Sequence, residues 1–149
     1  MAFISKSDLS QDIYSEILSG LTRSSDEKIT TACAEAVAEI NGYVCARYDT
    51  AALFAAPAPE GEPVGEPVES RNLTILAIAR TIAIYKLYKV CNKMNELARV
   101  EYEDAIALLL RIQKGQFILE GAKLFGQTET VTPTSQISRT GNIKRENYI

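Results

Sequence analysis

Ile75-Leu76-Ala77-Ile78-Ala79-Arg80-Thr81-Ile82-Ala83-Ile84-Tyr85-Lys86-Leu87 is the stretch on which the fold turns. It holds no proline or glycine and is flanked by polar residues, which predicts a helix from about Arg71 to Val90. Wound at 3.6 residues per turn, Ile75, Leu76, Ile78, Ala79, Ile82, Ala83, Tyr85 and Leu87 cover almost the whole circumference. A helix that is apolar nearly all round lies at the centre of a core or is shared with a partner. The run is too short to span a membrane, and Arg80 and Lys86 make it too charged. Those two cations either snorkel to solvent or meet a carboxylate. Asn72-Leu73-Thr74 fits the glycosylation pattern, but a helix start explains it better.

Such a central helix needs neighbours, and both flanks supply them. On the C-terminal side Asn95 can cap a helix over about Glu96 to Lys114, with Ala98, Tyr102, Ala105, Leu109 and Ile112 as its stripe and Ile106 and Leu110 beside it. Gly115 is a well-placed stop. On the N-terminal side Ser24 and Glu27 form a capping-box pair. They open a helix with the stripe Ile29, Cys33, Ala36, Val37, Ile40, Val44, ending near Tyr48. Its many alanines suit a close neighbour, and Gly42 predicts a close backbone contact. Before it, Ser7 can cap a helix over about Asp8 to Leu18, with Leu9, Ile13 and Ile17 on one face and Gly20 as its stop. After Gly115, residues 116–120 read as a short strand or an extension, with Phe117, Leu119 and Phe125 covering the bottom of the bundle. The expectation is an all-α fold, a compact bundle of about four helices in a domain over residues 1–126.

Two segments break the helical pattern. Residues 49–70 hold four of the five prolines, Pro57, Pro59, Pro63 and Pro67, and the tandem Gly61-Glu62-Pro63-Val64 and Gly65-Glu66-Pro67-Val68. Proline removes amide donors and disfavours helix before it, which predicts a long Pro-rich loop between the second and third helices. Glu60, Glu62, Glu66 and Glu69 make it acidic. It reads either as a solvated excursion or as an interaction loop that could line a channel. From Gln127 onward Thr, Ser, Gln and Asn dominate, and apolar residues are too few for a core. Residues 127–149 therefore read as an extended interaction tail with anchors at Val131, Ile137, Ile143, Tyr148 and Ile149 and cations at Arg139, Lys144 and Arg145.

Composition narrows the function. The chain has 149 residues, 46% of them hydrophobic, which is about one domain with a sufficient core. The net charge is −3 and the cations are scattered, against nucleic acid being held through phosphates. There is no histidine, so no imidazole acid, base or metal ligand. The three cysteines, Cys33, Cys45 and Cys91, lack metal-ligand spacing and read as reduced, mostly buried thiols. No nucleophile elbow, P-loop or dinucleotide fingerprint occurs. Asp26-Glu27 and Glu103-Asp104 point about 100° apart on a helix and read as surface charges. No catalytic residue, metal, cofactor or membrane contact is expected, and the N-terminus does not read as a signal peptide.

Three blocks in fixed order resemble the Mu-like phage head–tail adaptor family, also called head-completion or head–tail joining proteins. The first is Ala38-Glu39-Ile40-Asn41-Gly42-Tyr43 with Ala46-Arg47-Tyr48. The second is Ile78-Ala79-Arg80 with Tyr85-Lys86-Leu87-Tyr88. The third is Tyr102-Glu103-Asp104-Ala105 with Ile112 and Gly115. Phe3-Ile4-Ser5-Lys6-Ser7-Asp8-Leu9 is similar to the family's aromatic-led start, and residues 143–149 to its basic-then-apolar end. The resemblance marks Tyr43, Arg47, Tyr48, Arg80, Tyr85, Tyr88, Tyr102 and Glu103 as the family-motif positions. It implies a helical subunit of a homo-oligomeric ring, of twelve copies, at the head–tail junction of a virion assembled in a bacterial host's cytoplasm. Its partners would be the portal protein above and stopper or tail proteins below, with DNA passing through without specific binding. The acidic balance suits such a channel. The alternatives are another virion joining part, such as a stopper or tail-completion protein, and a helix-turn-helix regulator. The last would need cations where Asp26, Glu27, Glu35 and Glu39 stand.

Overall fold

The structure is a computed structural model and describes residues 2–23, 25–55, 71–93 and 95–126. Every regular element among them is helical: α1 (Lys6–Leu9), α2 (Ser15–Thr22), α3 (Asp26–Val44), α4 (Thr50–Leu53), α5 (Leu73–Val90) and α6 (Glu96–Gln113). The fold is all-α, as expected, but with six helices rather than about four. The acidic residues of the predicted loop (Glu60, Glu62, Glu66, Glu69) and the predicted tail both lie outside the described residues, as does Ser24.

The central role of α5 is what its sequence demands. Ile75, Ile78, Ala79, Ile82, Ala83 and Leu87 are buried, and α5 packs against both α3 and α6. Asn72 caps it by accepting the Ile75 amide hydrogen at 3.1 Å, and its amide nitrogen donates to the Glu120 carbonyl at 2.9 Å. α6 returns antiparallel to α5, capped by Asn95 on the Leu97 amide at 3.0 Å. Both helices end in the same turn. In each, the second residue past the C-cap donates back to the carbonyl five residues earlier (Lys93 to Tyr88, 3.1 Å; Gln116 to Arg111, 2.9 Å). The residue before it is left-handed, Asn92 at φ 51° and Gly115 at φ 76°. Ala98, Ala105, Leu109 and Ile112 of the α6 stripe are buried, Tyr102 and Ile106 half-buried, and Leu110 faces solvent.

The first predicted helix is split. Ser5, not Ser7, starts α1. Its backbone nitrogen and its hydroxyl both donate to Asp8 Oδ2 at 2.8 Å. Arg71, just before the Asn72 cap of α5, holds Asp8 through both carboxylate oxygens, and α1 is a single turn that ends at the buried Leu9. Leu9 and Ile13 enter the core, but Ile17 does not, because α2 starts afresh at Ser15 and buries Leu18 and Leu21. Gly20 lies inside α2, which stops at Arg23 in a left-handed conformation (φ 53°).

α3 keeps its predicted stripe but ends at Val44 rather than near Tyr48. Ser25 flanks its start without a side-chain cap. Gly42 does not mark a close contact: a Cβ placed there would meet nothing within 4 Å. Residues 47–49 instead form a one-bridge antiparallel contact with 123–125. Tyr48 lies opposite Leu124, the Phe125 amide donates to the Arg47 carbonyl, and the Asp49 amide donates to the Lys123 carbonyl, each at 2.9 Å. α4 stands within the predicted loop of residues 49–70, where Asp49 nucleates a turn of helix by accepting from the Ala51 and Ala52 amides. Residues 116–120 form no strand. Leu119 is buried, while Phe117 and Phe125 are exposed rather than covering the base.

Candidate functional site

The motif positions are mostly engaged within the fold. Tyr48 is fully buried, and its hydroxyl accepts the Leu119 amide hydrogen at 3.2 Å, tying the end of α3 to the segment after α6. Arg47 lies 6.0 Å from the Tyr48 ring centroid and presses its guanidinium against Gly115, where a Cβ would stand 2.2 Å from Nη1. Glycine at 115 thus serves two ends, the left-handed turn and the room for Arg47. Arg80 reaches across to the α1–α2 connection. Its Nε stands 2.9 Å from Asp12 Oδ2 as a close charge pair rather than an aligned hydrogen bond, and Nη1 donates to Gln11.

A second cluster joins the three long helices. Tyr85 of α5 stacks on Tyr102 of α6, ring centroids 4.1 Å apart and planes at 13°. The Tyr102 hydroxyl donates to Glu39 Oε1 of α3 at 2.6 Å, while Lys86 Nζ holds Glu39 Oε2 at 2.7 Å. Burial works against the Glu39 charge, but the hydrogen bonds from Lys86 and Tyr102 outweigh it and hold the carboxyl below its ordinary pKa. That hydrogen bond to Glu39, with burial beside it, lifts the Tyr102 phenol above its ordinary value. Tyr43 and Tyr88 are half-buried against the core. Glu103 is exposed and pairs with Arg99 one turn earlier at 3.2 Å. The structure therefore brings Tyr85 and Tyr102 together, and Arg47 with Tyr48, but leaves Arg80 and Glu103 apart from both.

The sequence reading passed over two features. One is the Asp8–Arg71 pair, whose side chains are 8% and 9% exposed. Arg71 donates to both carboxylate oxygens, at 2.9 and 3.0 Å, and to the Phe3 carbonyl at 2.8 Å. Burial alone would raise the Asp8 pKa, yet the hydrogen bonds from Arg71 and Ser5 bring it below the ordinary value. The other is a groove of about 830 Å³ between the N-terminal segment, α3 and α4. Phe3, Ile29, Cys33, Val37 and Phe54 make it apolar, and Ala34 and Ala38 keep it open. Phe3 and Phe54 meet edge to face, centroids 5.3 Å apart. The signal was present in the run of alanines on α3. Ala32 and Ala36 do receive neighbouring elements, whereas Ala34 and Ala38 remain exposed along the groove.

Burial pushes the Cys33 thiol up to about 11, with the Asp8 charge adding to it, so it stays a neutral thiol. Cys45 is exposed, not buried as expected, and Cys91 is half-buried. Among the described residues no three Cys, Asp or Glu side chains converge as a metal site, and no helix is long and apolar enough to cross a membrane. The groove carries two charged residues, Lys6 and Asp26, paired with each other at 2.7 Å. The rest of its lining is uncharged. No family model, curated protein or solved structure matches the chain.

Proposed function

We propose that this protein is a structural part of a tailed-phage particle: a small helical subunit that assembles in a ring between the portal and the tail and lets DNA pass. The observation that carries the reading is the apolar end of the bundle. Phe125 is 72%, Leu73 67%, Ile118 47% and Phe117 38% exposed. They belong to the start of α5 and the segment after α6, which the Asn72–Glu120 hydrogen bond ties together. Large exposed apolar side chains mark a surface made for a partner, and Val90 at 58% and Leu97 at 62% offer a second one at the opposite end of α5 and α6. Residues 127–149 follow Phe125 and Gly126 in the sequence, and their anchors are the second part of the proposed partner surface.

The resemblance of the three sequence blocks supplies the kind of partner. The internal engagement of the motif tyrosines and arginines fits a scaffold role for them. Ring contacts then fall to the apolar end, the acidic loop and the tail. A stopper or tail-completion protein would use the same surfaces one layer lower. Electron microscopy of assembled particles decides between layers: the reading expects this chain as a ring directly beneath the portal. A chain that is absent from particles ends both virion readings. Deletion of residues 127–149 is expected to leave a folded helical subunit that no longer docks. Normal docking without the tail would remove the tail from the interface.

A further inference from the structure

We propose that Arg47 is a recognition point for a carboxylate on a partner protein, one that carries a large apolar side chain next to its acid. The proposal rests on the surroundings of Arg47, not on the phage reading.

A guanidinium has five donors, and burying any of them without an acceptor is costly. Among the described residues Arg47 has neither a hydrogen bond nor an ion pair, unlike Arg80, which is held by Asp12 and Gln11. Of its three nitrogens only Nε is both enclosed and unbonded, so Nη1 and Nη2 are open to water. The nearest acid in the sequence, Asp49, is occupied: it accepts from the Ala51 and Ala52 amides. The guanidinium is also held in place. Gly115 lies directly beneath it, and the Tyr48 ring stands 6.0 Å away. A side chain packed in this way loses little freedom when a ligand arrives. Its two terminal nitrogens form a planar fork that matches the two oxygens of a carboxylate.

The segments that meet at Arg47 supply the rest of the surface. Arg111 lies in the last turn of α6, Lys114 is its C-cap, and the Lys123 carbonyl accepts the Asp49 amide. All three side chains are exposed, and none has an ion pair among the described residues. Against them stand Glu120 and the occupied Asp49. In a chain of net charge −3 this is a local excess of positive charge, which draws an acidic partner to this end. Phe125, whose amide donates to the Arg47 carbonyl, is 72% exposed, and Phe117, two residues past Gly115, is 38% exposed. Arginine beside exposed aromatic rings is the pairing that carries most of the energy in protein interfaces. An acid next to an apolar side chain engages both parts. A nucleic-acid phosphate would use the cations alone and would meet a chain that is acidic as a whole.

The test is NMR of the full-length, isotope-labelled chain, titrated with N-acetyl-aspartyl-phenylalanine amide and separately with its asparaginyl counterpart. The acidic peptide is expected to shift the Arg47 Nε–H signal together with the Gly115 and Phe125 amides. It should bind at least about tenfold more tightly than the neutral peptide, because only a carboxylate pairs with the fork. Arg47→Gln should abolish the preference. The comparison of the two peptides needs no variant, so it carries the test if Arg47→Gln does not fold. Equal affinity for the two peptides overturns the proposal, as does an undisturbed Arg47 signal with the acidic one. A preference that survives in folded Arg47→Gln also overturns it. Shifts at Arg47 from a short DNA duplex but from neither peptide overturn it too and give the site to a phosphate.

Discussion

Asp8 and Arg71 share two hydrogen bonds out of reach of water, and removing one partner leaves the other charged and buried. Asp8→Ala is therefore expected to cost about 3 kcal/mol or more in urea unfolding near neutral pH. The carboxyl's folded pKa lies below its unfolded value of 3.8. The pair thus contributes fully above that value and loses its contribution as pH falls through the lowered folded pKa. The gap between wild type and Asp8→Asn should narrow as the pH falls below 3.8, and a gap independent of pH would show that the charge is not what matters. At Tyr48 the hydroxyl serves one buried amide. Tyr48→Phe leaves that donor unmade and should cost about 1–2 kcal/mol in the same assay. None of this was legible in the sequence, because the partners of Asp8 and Tyr48 lie 63 and 71 residues away.

Two glycines on neighbouring elements separate conformational need from mere tolerance. Gly115 sits at φ 76° against the Arg47 guanidinium, so Gly115→Ala must strain the backbone and displace Arg47. It is expected to lower stability by about 1–2 kcal/mol. Gly42 lies inside α3, exposed and with open space around it. Gly42→Ala should raise stability by about 0.5–1 kcal/mol, and thermal unfolding of the two variants should shift in opposite directions. The long helices were readable because their signals are local: Asn72, Asn95 and Gly115 cap or stop α5 and α6 where the sequence placed them. The start of the chain was not. Leu9, Ile13 and Ile17 fit one helical face, but α1 is a single turn, with its Asp8 held by Arg71. Local periodicity cannot register an ion pair to a distant part of the chain.

α3, α5 and α6 bury one shared core, with Ile40, Ile82 and Leu109 each fully enclosed. A single core of this size unfolds as one unit. Helical circular dichroism and tyrosine fluorescence should therefore trace the same urea transition. Two separated transitions would mean that α1 and α2 form a unit of their own. Because α3, α5 and α6 enclose this core among the described residues, removing residues 127–149 should leave the helical signal and its midpoint within about 0.5 kcal/mol. The proposed virion role also belongs to this scale. It depends on which exposed apolar side chains gather at the ends of the bundle, not on any single motif.

The sequence by itself determined the helical class, the central position of α5 and the cap residues of the last two helices. Each follows from periodicity and from hydrogen bonds between near neighbours. Only the tertiary structure decided the division of the first helix, the joining of residues 47–49 to 123–125, and the open groove beside Ala34 and Ala38. It also decided that Arg47, Tyr48, Arg80, Tyr85 and Tyr102 hold the fold together. The reason is physical: a side chain shows its type in the sequence, but whether it is free or engaged depends on what distant chain folds against it.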